Sequence, residues 1–277
     1  MVFKIRSMLT FLNKLDSDLR KALMAQIRNL WTHSSTAIEG NSLTLGETAF
    51  VLEEGLTVAG KPLRDHEEVV GHAKAIDLLY AILRDDRNLT REDLFALHRA
   101  VQTEAVFDVY KPLGRWKNQP NSTAAVVNGT QVIFEYALPE DVPKLMEMWF
   151  NLFNKLEGSV KPQDWEAALD AYVSLHVSFV RIHPFFDGNG RLARLVANLP
   201  VLKAGLPPIV VPREQRQQYI KALSDYHYAM GQVRAGDDLL PQKEKLQSFT
   251  DFCRQAWQVT RELVEAAHER QRQREKL

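Results

Sequence analysis

The sequence predicts an all-α protein, a helical bundle whose β-structure is confined to one short hairpin. Three observations carry this. Apolar residues recur at helical spacing along most of the 277 residues, most plainly at Leu9, Leu12, Leu15, Leu19, Leu23, Ile27 and Trp31, and again at Trp165, Leu169, Tyr172, His176 and Phe179. Two helix-opening signatures, Thr44 with Glu47 and Thr90 with Asp93, set an N-cap hydroxyl three residues ahead of an acid. The two β-like runs, residues 124–127 and 130–134, flank Asn128-Gly129, the dipeptide favoured in two-residue hairpin turns.

Taken in order, residues 8–31 form a first helix, followed by Ser34-Ser35-Thr36-Ala37-Ile38-Glu39-Gly40-Asn41. Gly40 is an ordinary helix stop. Glu39 is odd beside it, because an acid at a helix C-terminus opposes the macrodipole, although the cost is small where solvent screens it. Thr44 opens a second helix, Gly60-Lys61-Pro62 turns the chain, and a long amphipathic helix runs over 65–83. Its His66 and His72 suit solvated or core-edge positions better than metal ligation. A loop at 85–88 leads to a helix through Leu94, Leu97 and Val101, on which His98 is structural. Residues 114–143 are the least helical part and hold the hairpin, with Arg115 near it and without an assigned role. Asp141-Val142-Pro143 opens a helix through Leu145, Met148, Trp149 and Leu152. The next helix, 165–182, is apolar almost all round and is expected to be buried on most sides. Pro184 ends it and disfavours helix at His183. Leu192, Leu195, Val196 and Leu199 resume helical spacing until Pro200, which predicts a kink or an end near Asn198 or Leu199. A turn at 205–208 precedes a helix over 213–228, with Tyr219, Leu223 and Tyr226 on one side. One amphipathic helix is expected over 248–267, and residues 268–277 read as a charged, solvated tail.

Composition narrows the classes of function. Hydrophobic residues make up 45% and charged residues 25%, enough for a sizeable core. Lys+Arg and Asp+Glu both number 35, so no global charge argues for nucleic acid or an anionic membrane. The one cysteine, Cys253, excludes an intramolecular disulfide and suits a reducing cytosol. No run reaches transmembrane length and the first residues lack an apolar signal region, so a cytoplasmic location is expected. The glycosylation sequons at Asn88, Asn121 and Asn128 are then incidental.

The chemistry concentrates in residues 183–194, His183-Pro-Phe-Phe-Asp187-Gly188-Asn189-Gly190-Arg191-Leu-Ala-Arg194. Glycines allow positive φ and close backbone approach, so successive N–H groups converge into an anion-binding nest. The loop opens a helix, whose N-terminus adds unpaired donors and a positive dipole end. Arg191 and Arg194, three apart, offer bidentate donors to phosphate oxygens. Asp187 is a hard oxygen ligand suited to phosphate-bound magnesium. His183 titrates near neutrality and is the natural general base. The competing reading is a helix–turn–helix corner with solvated arginines.

This stretch resembles the signature of the Fic family, His-x-Phe-x-(Asp/Glu)-Gly-Asn-Gly-Arg-x-x-Arg, at every specified position. Ser35, Glu39 and Gly40 likewise resemble that family's inhibitory motif, (Ser/Thr)-x-x-x-Glu-(Gly/Asn). The resemblance spans roughly residues 30 to 240. It implies a Fic-type helical bundle that transfers AMP from ATP, with Mg2+, to a Ser, Thr or Tyr hydroxyl of a target protein. It implies that His183 deprotonates that hydroxyl and Asp187 binds magnesium. Gly188, Asn189 and Gly190 would cradle the α- and β-phosphates, and Arg191 and Arg194 would hold the distal ones. Glu39 would pair with Arg194 and turn ATP into a non-productive pose, which places the chain in the class restrained by an N-terminal inhibitory helix. The hairpin, residues 121–134, corresponds to the family's flap, which covers the site and holds the target by strand pairing. Tyr219 and His227 fall where the family builds its adenine pocket, although core packing explains them equally well. The expected organisation is N-terminal helices over 1–60, a catalytic core over 61–240, and a C-terminal helix and tail over 241–277. Expected partners are the unidentified target, the protein itself through automodification, and a second copy in a homodimer, with no nucleic acid and no membrane. Three other activities stay open from the residues: an AMP-removing hydrolase using Glu39, transfer from another phosphate-containing donor, and a nucleotide-binding regulatory module without turnover.

Overall fold

The computed structural model describes residues 9–102, 111–127 and 130–276. A 3-10 turn at Thr10–Leu12 precedes α1 (Ser17–Ile38), α2 (Leu45–Glu54), α3 (Leu63–Arg84) and α4 (Arg91–Val101). The antiparallel hairpin follows as β1 (Ser122–Val127) and β2 (Thr130–Glu135), then α5 (Val142–Ser159), α6 (Trp165–Ile182), α7 (Asn189–Val196) and α8 (Leu199–Lys203). The chain closes with α9 (Arg216–Met230), α10 (Gln247–Ala256) and α11 (Gln258–Arg274). One hydrophobic cluster runs from Leu9 to Ala267 through nearly every helix. At its centre lies α6, packed against α5, α7, α8 and α10. Ser178 Oγ donates to the Ser174 carbonyl at 2.6 Å, and Trp149 Nε1 from α5 donates to the Leu175 carbonyl at 3.1 Å.

Local chemistry explains the boundaries. Thr44 and Thr90 both form complete capping boxes, with Glu47 and Asp93 respectively. The strands pair from Ser122↔Glu135 to Val127↔Thr130, a register that leaves a two-residue connection at Asn128 and Gly129, which lie outside the described residues. Pro200 sits in the first turn of α8, where its missing N–H costs nothing. At the α7–α8 junction, Asn198 Nδ2 donates to the Arg194 and Ile209 carbonyls, both at 2.9 Å, and its Oδ1 accepts from Ile209 N at 2.7 Å.

Four expectations are corrected. The first helix starts at Ser17 instead of residue 8, because Lys14 takes a positive φ of 66° and breaks the chain after the 3-10 turn; the apolar residues ahead of it are buried without being α-helical. His72 is fully buried under α7, near Arg191 and Arg194, and not at the core edge. The expected helix 248–267 divides at Trp257, whose Nε1 donates to Pro207 O at 2.8 Å while Thr260 Oγ1 donates to Pro208 O at 2.7 Å, tying both halves to the 207–208 segment. Residues 268–274 are mostly exposed but are not a free tail. They continue α11 along the start of α1, where Gln271 Oε1 accepts from Asp16 N at 2.8 Å and His268 Nε2 donates to Phe11 O at 2.9 Å. Asp16 is the N-cap of α1 and its own side chain makes no capping bond, so α11 satisfies part of that helix end.

Deleting residues 268–277 is therefore expected to lower unfolding stability by about 1–3 kcal/mol, measured by denaturant titration, through the buried groups left without partners. A freely solvated tail would leave the midpoint unmoved.

Candidate functional site

Backbone geometry aims the candidate base. His183 is the C-cap of α6 and takes the left-handed conformation, φ 53° and ψ 60°, with its N–H still bonded to Phe179 O at 2.9 Å. A non-glycine residue holds this conformation only where its surroundings enforce it. Pro184 follows, and its carbonyl accepts from Lys117 N at 2.9 Å. His183 Nδ1 lies 3.2 Å from Val180 O. A carbonyl can only accept, so Nδ1 carries the proton and Nε2 keeps its lone pair. Burial pushes the imidazole pKa down to about 3, helped by the charge of Lys117, so the ring is neutral at physiological pH. Tyr136 stacks on this ring, with centroids 3.7 Å apart and planes 9° from parallel.

The glycine loop is built from its own side chains. Phe185 is buried and stacks on His98 at 4.0 Å, while Gly114 N donates to His98 Nδ1 at 2.8 Å. Asn189 is buried and bridges the loop's backbone: its Oδ1 accepts from Phe185 N at 2.9 Å and its Nδ2 donates to Phe185 O at 2.8 Å. Gly188 takes φ 77° and opens α7. At Gly190 an added Cβ would lie 2.7 Å from Glu39 Oε1, so the missing side chain here makes room for a carboxylate. Asp187 is exposed, accepts from Gly188 N at 2.7 Å and lies 3.6 Å from Arg191 Nη2. Partial burial opposes its ionisation, but Arg191 and that N–H outweigh it and hold the carboxyl below the usual carboxylate range.

The two arginines part company. Arg191 Nη1 donates to Val101 O at 2.8 Å and Nη2 to Gln102 Oε1 at 2.9 Å, so it caps the end of α4 and steadies Asp187. It stands beside the residues that line the central cleft and not among them. Arg194 does line it and is 2% exposed. Its Nε donates to Ser35 Oγ at 3.1 Å, its Nη2 to Ser35 O at 2.9 Å and to Glu39 Oε1 at 2.6 Å, and its Nη1 to Tyr219 OH at 3.2 Å. Burial works against the charge, but Tyr219 and Glu39 hold the guanidinium pKa above its ordinary value. Tyr219 OH in turn meets His176 Nε2 at 3.1 Å, with burial pushing the imidazole down to about 3 and the phenol up to about 12. The phenol therefore donates to a neutral histidine and accepts from the arginine.

Glu39 reaches Arg194 because α1 ends at Ile38 and Glu39 is its C-cap, with Gly40 at φ 105° turning the chain away. Arg216 Nε, from α9, donates to Ile38 O at 2.6 Å and caps that same end. This countercharge at an exposed carbonyl end also offsets the unfavourable position of Glu39.

A cleft of about 310 Å³ lies between the hairpin, the loop and α9. Of the residues singled out from sequence, Glu39, His183, Asp187, Gly188, Asn189, Gly190, Arg194, Tyr219 and His227 line it, while Ser35 and Gly40 sit behind Glu39. Tyr219 is buried and braces Arg194 through its hydroxyl. His227 lies 5.1 Å from Phe134, its Nε2 donates to Glu135 O at 3.3 Å, and burial lowers its pKa to about 4. Sequence reasoning missed Tyr136, Arg216, Ile220 and Lys117. Ile220, Leu223, Ser224 and His227 form one face of α9 at i, i+3, i+4 and i+7, a signal the sequence did contain. Among the described residues, no group of three or more His, Cys, Asp or Glu side chains is placed to hold a metal ion, and no helix is long and apolar enough to cross a membrane.

Comparison with known proteins agrees with this geometry. The chain is 32% identical over 205 residues to protein adenylyltransferase fic-1 of Caenorhabditis briggsae, covering 73% of this chain and 37% of the relative. It is 32% identical over 227 residues to protein adenylyltransferase Fic of Drosophila mojavensis, covering 80% and 40%. The chain thus matches well under half the length of these relatives. Among solved structures, a Fic-domain-containing signaling protein of Bacteroides thetaiotaomicron superposes with a TM-score of 0.78 at 26% identity, covering 97% of both chains. Fic-1 of Caenorhabditis elegans superposes at 0.69 with 28% identity, covering 96% of this chain and 72% of the other. Residues 88–201, which hold the hairpin, α6 and the loop, match the Fic/DOC family, and the chain belongs to that family.

Proposed function

We propose that the cleft transfers AMP from ATP to a hydroxyl side chain of a target protein, and that Glu39 restrains it. The observation that carries this is the composition of one cleft: a neutral imidazole with its Nε2 lone pair free, an open carboxylate, a glycine-opened helix end and a permanently charged arginine held by a carboxylate. The two relatives named protein adenylyltransferase support the same chemistry.

In this reading the target hydroxyl oxygen attacks the α-phosphorus in line, His183 Nε2 takes its proton, and pyrophosphate leaves. The N–H groups at the start of α7 and its positive dipole end hold phosphate oxygens. Magnesium usually takes one or two protein carboxylates and completes its shell with phosphate oxygens and water, so the single carboxylate Asp187 fits it as a phosphate-bound ion. When bound, it supplies charge neutralisation on the phosphates. Arg191 and the Gly188 N–H keep Asp187 ionised and oriented for that role. Arg194 is the cation for the terminal phosphate, and Glu39 occupies its Nη2 donor. Glu39 thereby leaves a triphosphate without its last contact.

Glu39→Gly should raise labelling of protein by α-labelled ATP by about 10- to 100-fold, corresponding to about 1.4–2.8 kcal/mol in the barrier. Equal rates in both forms would remove the brake from this reading. Adding His183→Ala to Glu39→Gly should lower the rate by about 10²–10⁴ without changing the melting temperature, as expected for the loss of a general base. The base works unprotonated, and His183 protonates only as pH falls towards 3, so kcat of Glu39→Gly should stay level from pH 8 down to about 5. An acid limb centred between 6 and 7 would contradict the neutral, half-buried imidazole.

A further inference from the structure

We propose that Tyr136 is a positioning residue for His183: its ring, tied through its hydroxyl to β1 while its backbone is tied to Asn121 and to the segment after α9, is the platform that fixes the plane of the base. This deepens the proposed function and rests on His183 being that base.

The geometry is specific. The two rings lie 3.7 Å apart and 9° from parallel, whereas the neighbouring pairs of the cleft, Tyr136–His227 at 88° and Phe134–His227 at 59°, are not stacked. Among the described residues, the Nδ1 bond to Val180 O, at 3.2 Å, is the polar contact on the imidazole, and it leaves the ring free to tilt about it. Tyr136 itself is held at three points. Its N–H donates to Asn121 O at 3.3 Å, its hydroxyl donates to Thr123 Oγ1 at 3.0 Å across the hairpin, and its carbonyl accepts from Gln232 Nε2 at 2.7 Å. A buried ring with so many attachments is a stiff surface. Only with the imidazole plane fixed does Nε2 keep one direction, and proton transfer to it depends on that direction. Tyr136 touches neither nucleotide phosphate nor acceptor in this role; it acts through His183.

Tyr136 also takes one face of the imidazole out of solvent. The other charged or titratable groups facing His183 are Lys117 from the segment before β1, Asp187 from the loop and His227 from α9. Removing the Tyr136 ring leaves all three in place, so a change in His183 titration reports the lost platform and not a lost charge.

The test compares Tyr136→Phe with Tyr136→Leu in the Glu39→Gly protein, reading kcat, KM for ATP and the His183 titration by proton NMR. Tyr136→Phe keeps the platform and should keep kcat within about twofold. Tyr136→Leu keeps apolar volume without a flat face and should lower kcat by about tenfold with KM for ATP little changed, a fraction of what a placed base supplies. Its His183 pKa should rise from about 3 towards the ordinary histidine value, so the acid limb of kcat moves to higher pH. Tyr136→Met serves in the same way if the leucine variant does not fold. Unchanged kcat and titration in Tyr136→Leu would overturn the role, as would a loss confined to KM. Absence of AMP transfer in Glu39→Gly itself would instead overturn the base assignment, and the positioning role with it.

Discussion

The site depends on a buried charge that must be satisfied. Arg194 is sealed in the core of the cleft wall, where an unpaired guanidinium is prohibitively costly. Its donors are taken by Ser35 on α1, by Glu39 at the end of α1 and by Tyr219 on α9, which leans on His176 of α6. Four helices therefore meet around one side chain on α7. Ser35 supplies both a hydroxyl and a carbonyl, which holds α1 against α7 independently of Glu39. The carboxylate, with a side chain 39% exposed, is the partner that solvent can reach.

In and around the cleft the imidazoles are neutral, with His183 and His227 lining it and His98 and His176 buried behind it. Burial lowers the pKa of His98, His176, His183 and His227 alike, and each has a carbonyl, an N–H or a hydroxyl that fixes its tautomer. The arrangement separates two duties that the sequence pattern runs together. Charge is carried by Arg194 and Asp187, while the proposed proton exchange falls to a histidine held in its basic form. Lys117 adds to this: it is buried, donates to Asn121 at 2.6 Å, and burial brings its pKa down to about 7.

Much of this was legible because proline and glycine punctuate the chain where the site is made. Pro184 and Gly188 fixed the ends of α6 and α7, Pro200 the break before α8, and the Thr44 and Thr90 boxes two further helix starts. Direction was not legible. Residues 191 and 194 are neighbours on a helix, yet they stand about 60° apart around its axis, and that angle sends one to the end of α4 and the other to α1. Spacing within a helix cannot report which neighbour each side receives. The C-terminal residues 268–274 failed for a related reason: their composition is that of a solvated segment, and the N–H of Asp16 that Gln271 satisfies is not visible from Gln271 alone. Tyr136 lay just past a recognised strand, and nothing in the chain marked the ring it would cover.

The Arg194–Glu39 contact has one consequence for ligand choice. A guanidinium has one set of donors, so occupancy by Glu39 and by a terminal phosphate is a thermodynamic competition. In the proposed ATP site, the work needed to displace the carboxylate is charged against a triphosphate alone, because shorter nucleotides never ask for that donor. Linkage makes this reciprocal: whatever loosens the end of α1 must sharpen the preference for three phosphates over two by the same free energy.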